Sequence, residues 1–152
     1  MTWRSLVKKS MVLIPTVALL AILAFAQSDN PVPAFNPNPP TAADKLPPIL
    51  PKDQRWGESF QNPYQVHAYE LAEKIPAVLH QLPCYCYCDK MGHKSLRTCY
   101  ETTHGAHCGT CMKELYYAYQ QTKLKKTPKE IREGIIRGDW QSIDLATAVT
   151  MN

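Results

Sequence analysis

The residues best suited to chemistry are six cysteines, all of which lie between Cys84 and Cys111, with three histidines among them. They form a Cys-x-Cys-x-Cys triplet, a single cysteine and a Cys-x-x-Cys pair: Cys84, Cys86, Cys88, Cys99, Cys108 and Cys111. Thiolates and imidazoles are preferred ligands of zinc(II) and copper(I), and thiols also support redox exchange. The sequence therefore predicts one thiol-based site.

The triplet favours metal binding if its backbone is extended. Alternate side chains of a strand point to one face, so Cys84, Cys86 and Cys88 would converge as soft ligands. Neighbours two apart lie about 6.6 Å apart at Cα, near the upper limit for a relaxed disulfide. Any bridge within the triplet would be strained, easily reduced and therefore redox-active.

The Cys108-Gly-Thr-Cys111 pair leads into a predicted helix. A helix N-terminus favours a thiolate at the first cysteine, which gives a thiol–disulfide oxidoreductase alternative with Cys108 and Cys111 as the catalytic pair. No βαβ pattern surrounds the pair, and two thiolates on adjacent turns equally supply half of a metal site.

Our leading interpretation is a soft-metal-binding module whose ion is copper(I) or zinc. One ligand group is Cys84, Cys86 and Cys88, and His93 or His104 completes the site. The second ligand group comprises Cys99, Cys108 and Cys111. Asp89 and Glu114 are candidates for outer partners. A third alternative is a disulfide-stapled interaction domain, since six cysteines outside the cytosol allow 15 pairings; it and the redox alternative need no cofactor.

The motif resembles the bacterial family named for a Cys-Tyr-Cys-x-Cys (CYCXC) or PCYCGC motif. The resemblance runs from about Tyr64 to Trp140 and includes the six cysteines, His93 and His104, but not His107. It implies an exported or lipid-anchored protein of a family with no established function, some members of which are selenoproteins. This chain lacks the lipid-attachment cysteine of the anchored members.

The first 26 residues are typical of a cleaved signal peptide: a basic start, an apolar run and Ala24-Phe25-Ala26 before Gln27. This predicts an exported, periplasmic or extracytoplasmic protein. The alternative is an uncleaved inner-membrane anchor formed by residues 10–26, which would bring membrane association. The expected partner is a metal-handling or redox protein.

Without residues 1–26, the 17 basic residues of the chain fall to 14 against 13 acidic ones, a net charge of +1. A nearly neutral surface offers no basic stripe for nucleic acid. Residues 27–55 hold eight of the 13 prolines, which predicts a disordered spacer without chemistry of its own.

The remaining chain predicts a mainly α, small cysteine-rich domain over residues 56–140, with four to five helices and a short extended Cys-x-Cys-x-Cys segment. An apolar stripe from Val66 to Leu79 is interrupted by Pro76, which should kink the helix or start another. A short helix is expected over residues 94–103, with Gly105 as its stop signal, and a longer helix over residues 108–124. Thr127-Pro128-Lys129-Glu130 is a strong start signal for a last helix ending at Gly138. Trp140 should fold over the core, and residues 141–152 should form a loose tail.

Overall fold

The structure is a computed structural model that describes residues 31–152. The predicted signal peptide or anchor, residues 1–26, lies outside the described residues. Over the part that the structure describes, the chain is mainly helical and has no strand, which confirms the predicted class. Its α-helices are α1 (Pro63–Lys74), α2 (Pro76–Leu79), α3 (Gly109–Lys123), α4 (Pro128–Arg137) and α5 (Leu145–Ala148).

Proline marks the start of the first two helices. Pro63 occupies the first turn of α1, and the Gln65 side chain accepts the backbone N–H of Asn62 at 2.7 Å. Pro76 cannot continue α1, so the chain breaks at Ile75 and α2 begins as a separate short helix. The second of the two predicted outcomes at Pro76 is confirmed.

The last long helix follows its local signals closely. The Thr127 N–H donates to the Glu130 carboxylate at 2.7 Å, and the Glu130 N–H donates to the Thr127 hydroxyl at 3.3 Å. This reciprocal pair is a capping box. Gly138 ends α4 with a φ of 85°, a left-handed conformation that glycine adopts without a steric cost.

The core lies where α3 packs against α1 and against α4. Tyr69 and Leu71 of α1, Leu115 of α3, and Ile131 and Ile135 of α4 are completely buried there. Trp140 packs against this core and donates its indole N–H to the Ile135 carbonyl at 3.2 Å, as expected.

Between α2 and α3 the backbone forms short 3-10 helices in place of the predicted helix over 94–103. They span Cys88–Met91, Leu96–Tyr100 and Thr103–His107. Gly105, predicted as a stop signal, lies inside the last of them. A Cβ there would meet the Cys99 carbonyl oxygen at 2.9 Å, so the glycine permits a close backbone approach.

Residues 32–55, predicted to be a disordered spacer, pack on the domain, which spans Val32–Asn152. Ile49 and Leu50 are buried, and the Leu50 N–H donates to the Tyr100 carbonyl at 2.8 Å. The Arg55 guanidinium donates to the Leu50 carbonyl at 2.8 Å. Prolines restrict the unfolded chain, so this segment loses less conformational entropy when it becomes ordered. Its few buried apolar side chains are therefore enough to hold it on the domain.

Residues 141–152 also differ from the loose tail that was predicted. Ile143 and Ala148 are buried, and α5 packs against α1 and α3. The Asp144 carboxylate accepts the Ala146 N–H at 3.0 Å and so caps α5. Leu145 and Met151 also pack against the core, partly buried. Because α5 is only four residues long, it produces no helical period in the sequence.

Candidate metal centre

Five cysteines and one histidine converge between α2 and the start of α3. The turn that carries Cys84 and Cys86, three 3-10 helices and the first turn of α3 supply them. Their ligand atoms form two groups of four, and within each group all atoms lie within 4.8 Å of one another. The first group is Cys84, Cys86, Cys99 and Cys111; the second is Cys86, Cys88, Cys99 and His104.

The Cys84–Cys88 segment forms a turn and not the extended segment that was predicted. The Tyr87 N–H donates to the Cys84 carbonyl at 3.1 Å, and Tyr87 has a left-handed φ of 56°. The turn brings the thiols together by folding the backbone back, whereas a strand would have aligned them along one face. The rings of Tyr85 and Tyr87 pack edge to face at 5.9 Å beside it.

The first group is the more buried. The Cys84 Sγ lies 3.3 Å from the Cys111 Sγ and 3.1 Å from the Cys86 Sγ, and the Cys86 and Cys111 sulfurs are 3.5 Å apart. Cys99 and Cys111 are fully buried and Cys84 nearly so. All four donors are sulfur, which is the composition of a structural zinc site.

The second group reaches towards the surface through His104, which is half-buried. The Cys88 Sγ lies 2.9 Å from the His104 Nε2 and 2.7 Å from the Cys86 Sγ. Three sulfurs and one imidazole nitrogen again make a donor set that suits zinc.

The spacing of the sulfurs fits an ion with small adjustments. Tetrahedral zinc with bonds of about 2.3 Å keeps its sulfurs about 3.8 Å apart. In the first group the Cys84, Cys86 and Cys111 sulfurs are 3.1 to 3.5 Å apart, and no separation in the group exceeds 4.8 Å. These three sulfurs would therefore move apart by well under 1 Å to reach the zinc geometry.

His93 lies against the cluster but belongs to neither group. Its Nδ1 is 3.3 Å from the Cys99 Sγ, and its ring packs against that of His104 at a centroid distance of 4.8 Å. A hydrogen bond from His93 to a cysteine ligand would orient that ligand and stabilise its thiolate. His107 points elsewhere, with its Nε2 2.8 Å from the Ser59 hydroxyl.

Cys108 also stands outside both groups, so the structure divides the cysteines differently from the two sets of three that were predicted. It is the half-buried N-cap residue of α3. The hydrogen bond with Cys111 favours its thiolate, but the hydrogen bond with Cys86 and burial outweigh it and raise the pKa of Cys108.

Neighbouring thiols and burial also shift the pKa values of Cys111, Cys88 and Cys86. Hydrogen bonds with adjacent thiols, that of Cys108 first, and burial raise the pKa of Cys111. Burial and the contact with Cys86 raise the pKa of Cys88. Hydrogen bonds from adjacent thiols, again that of Cys108 first, lower the pKa of Cys86. Cys86 is therefore the favoured thiolate among them.

Glu114 of α3 is fully buried behind the turn. Its Oε1 accepts the Tyr85 N–H at 2.7 Å, while its Oε2 has no hydrogen-bond partner. Burial raises the pKa of this carboxyl to about 8. The Glu114 side chain thus holds the cysteine turn by a hydrogen bond from the backbone N–H of Tyr85. Asp89, the other expected outer partner, instead accepts the Ala34 N–H at 3.3 Å.

Two features of the site were not predicted. Residues 33 and 34 lie over Cys84, Cys88 and His93, and the Asn36 amide donates to the His80 carbonyl at 3.1 Å, which fixes this cover. The Tyr100 hydroxyl donates to the Cys111 carbonyl at 2.8 Å and ties two cysteine-bearing segments together. The cover by residues 33 and 34 was not predicted because the many prolines of this segment indicated disorder. The Tyr100 hydrogen bond was not predicted because residue spacing does not identify the partner of a tyrosine hydroxyl.

No family model, curated protein or solved structure matches the chain. The resemblance to the CYCXC-motif family therefore stays a prediction. Within residues 31–152, no helix combines the length and apolar character needed to cross a membrane.

Proposed function

We propose that this chain is an exported module that binds a soft transition metal, zinc(II) or copper(I), through the cysteine cluster. The observation that carries the proposal is the convergence of five thiols and one imidazole into groups with ligand atoms no more than 4.8 Å apart. Such donors are those that both ions prefer. The bound metal would be a structural ion or transported cargo, and it would join the segments that carry its ligands.

Burial supports this assignment. Several thiolates brought together away from water repel one another, and a bound cation relieves that repulsion. Metal binding would therefore displace protons from the cysteines whose pKa is raised, so the apparent affinity should fall as the pH is lowered.

The thiol–disulfide oxidoreductase alternative has less support. Such enzymes depend on a lowered pKa at the first cysteine of the Cys-x-x-Cys pair, but the pKa of Cys108 is raised. The second cysteine, Cys111, is fully buried and belongs to the first ligand group.

The proposal is tested by titrating the reduced full chain with zinc(II) and copper(I) under anaerobic conditions against a chromophoric chelator. We expect wild type to compete for at least one of the ions, and Cys99→Ser to weaken binding at least 100-fold because it removes a donor from both groups. Cys108→Ser is the matched control: it removes a cysteine that belongs to neither group and should weaken binding less than tenfold. A fully reduced wild-type chain that fails to compete for either ion would overturn the proposal.

A further inference from the structure

The two ligand groups share two of their members. Cys86 and Cys99 belong to both, so the groups contain six residues between them. The Cys86 Sγ is within 3.5 Å of three other sulfurs, those of Cys84, Cys88 and Cys111. It therefore lies at the middle of the cluster, and a thiolate there has enough lone pairs to bind two ions at once.

We propose that the cluster is a binuclear centre in which the Cys86 and Cys99 thiolates bridge two metal ions. Cys84 and Cys111 complete the four ligands of the first ion, and Cys88 and His104 complete those of the second. This inference rests on the proposed function and deepens it, because it assigns the number of ions and the role of each ligand.

Donor number supports two ions. Two independent tetrahedral sites need eight donors, and the two groups provide six. Sharing two thiolates gives each ion four ligands. A single ion in the first group would leave Cys88 and His104 as a separate pair, with the Cys88 Sγ 2.9 Å from the His104 Nε2.

Charge favours divalent ions. Five thiolates and a neutral imidazole carry a formal charge of −5, which two divalent ions reduce to −1 and two monovalent ions only to −3. An uncompensated charge is costly at this depth, since Cys99 and Cys111 are fully buried. His93 faces the shared Cys99 and offers a hydrogen bond to its sulfur at 3.3 Å.

The two ions would not be equivalent. The first has only sulfur ligands, three of which are buried, whereas the second is bound by a half-buried histidine near the surface. We therefore expect chelators to remove the second ion faster than the first.

The test is cadmium-113 NMR of the reduced full chain titrated with ¹¹³Cd(II), a probe that replaces zinc in thiolate sites. The expected result is saturation at two ions per chain, with two resonances of equal intensity joined by a ¹¹³Cd–¹¹³Cd correlation through the shared sulfurs. One resonance with saturation at one ion would overturn the binuclear centre while leaving metal binding intact. Two resonances without a correlation would overturn the bridges. No bound cadmium would overturn both proposals.

Variants assign the ligands. Cys88→Ser should remove the resonance of the mixed sulfur–nitrogen ion and retain one ion, whereas Cys86→Ser should displace both resonances. Cys108→Ser should retain two correlated resonances. If Cys86→Ser removed one resonance and left the other at its wild-type position, Cys86 would not be a bridge. The helical circular dichroism of each variant reports whether it has folded.

Discussion

Two regions of this domain are held together by different means. The helical frame, α1, α3 and α4, buries aliphatic and aromatic side chains and carries its own capping residues. The thiol segment, residues 84–108, contains a turn and 3-10 helices but no α-helix. It buries Leu96 and Tyr100 in the core, while four of its cysteines and His104 converge in the ligand groups. Apolar burial stabilises the frame without a ligand, whereas we expect the proposed metal to contribute to the order of the thiol segment.

Removing the metal should lower hydrogen-exchange protection in the thiol segment much more than in the helical frame. A bound ion at 1,000 times its Kd contributes about 4 kcal/mol to the free energy of unfolding. After chelation we expect amides such as Leu96, which donates to the Leu82 carbonyl at 2.8 Å, to lose at least 100-fold in hydrogen-exchange protection. Amides in the middle of α3 should change by less than tenfold. Equal losses in both regions would contradict the division.

A core substitution in the frame should lower the stability of the domain without changing its metal binding. Ile135→Ala removes a fully buried side chain of α4 and should lower the free energy of unfolding by about 2–5 kcal/mol, measured by urea denaturation. The number of bound metal ions should not change. Ile136→Ala, at a neighbouring position that is 39% exposed, is the matched control and should cost far less. Loss of metal in the folded Ile135→Ala variant would show that the regions are not independent.

Gly105 tests the junction between the regions. Gly105→Ala places a methyl group against the Cys99 carbonyl and should cost about 1–3 kcal/mol, because backbone must move. It should also weaken metal binding, since Cys99 belongs to both ligand groups. Gly109→Ala, with no atom within 4 Å of the new Cβ, is the control. Chelator competition with both variants distinguishes the outcomes, and equal affinities would refute the coupling.

The cap of α4 offers a smaller change confined to the frame. Thr127→Ala removes the hydroxyl that accepts the Glu130 N–H and should lower the free energy of unfolding by about 1 kcal/mol. Because Thr127 is exposed and far along the chain from the cysteines, metal affinity should be unchanged. Thermal unfolding with and without zinc measures the stability of the variant and its stabilisation by zinc. A smaller stabilisation by zinc in Thr127→Ala than in wild type would contradict the prediction.

The smallest predicted effect is a pH dependence at His80. Burial lowers the pKa of this imidazole from its ordinary value of 6.5; the nearby Asp44 opposes the shift and Arg97 reinforces it. The unfolded chain then binds more protons near pH 6, so the stabilising contribution is complete above pH 6.5 and is lost as the pH falls through the folded pKa. The stability of wild type relative to His80→Asn, both metal-free and reduced, should therefore decrease from pH 7.5 to pH 5. A constant difference would contradict this assignment.

The same contrast explains how much of the fold the sequence predicts. Pro76, the Thr127 cap and Gly138 act within one turn of the backbone, so their signals mark helix boundaries directly. The hydrogen bond from the Leu50 N–H to the Tyr100 carbonyl joins positions 50 residues apart and leaves no local pattern. Proline content alone therefore led to the prediction of a disordered spacer.

For the site, residue types and spacing predicted the five cysteines and His104 that the structure brings together, and also Cys108 and His93, which lie in neither group. They did not predict the turn, because Tyr87 adopts a left-handed conformation that glycine or asparagine would have signalled. Nor did they predict that Cys86 and Cys99 lie in both groups, since that arrangement depends on how the 3-10 helices pack. Which cysteines share a ligand group is therefore decided by tertiary packing and not by their spacing in the sequence.

The central claim is that cysteine sulfurs bind the metal, and X-ray absorption spectroscopy of the zinc-loaded full chain tests it most directly. The account predicts a first shell dominated by sulfur at about 2.3 Å, with a minor nitrogen contribution at about 2.0–2.1 Å from His104. A first shell of only nitrogen and oxygen would place the ion away from the thiols and contradict the account.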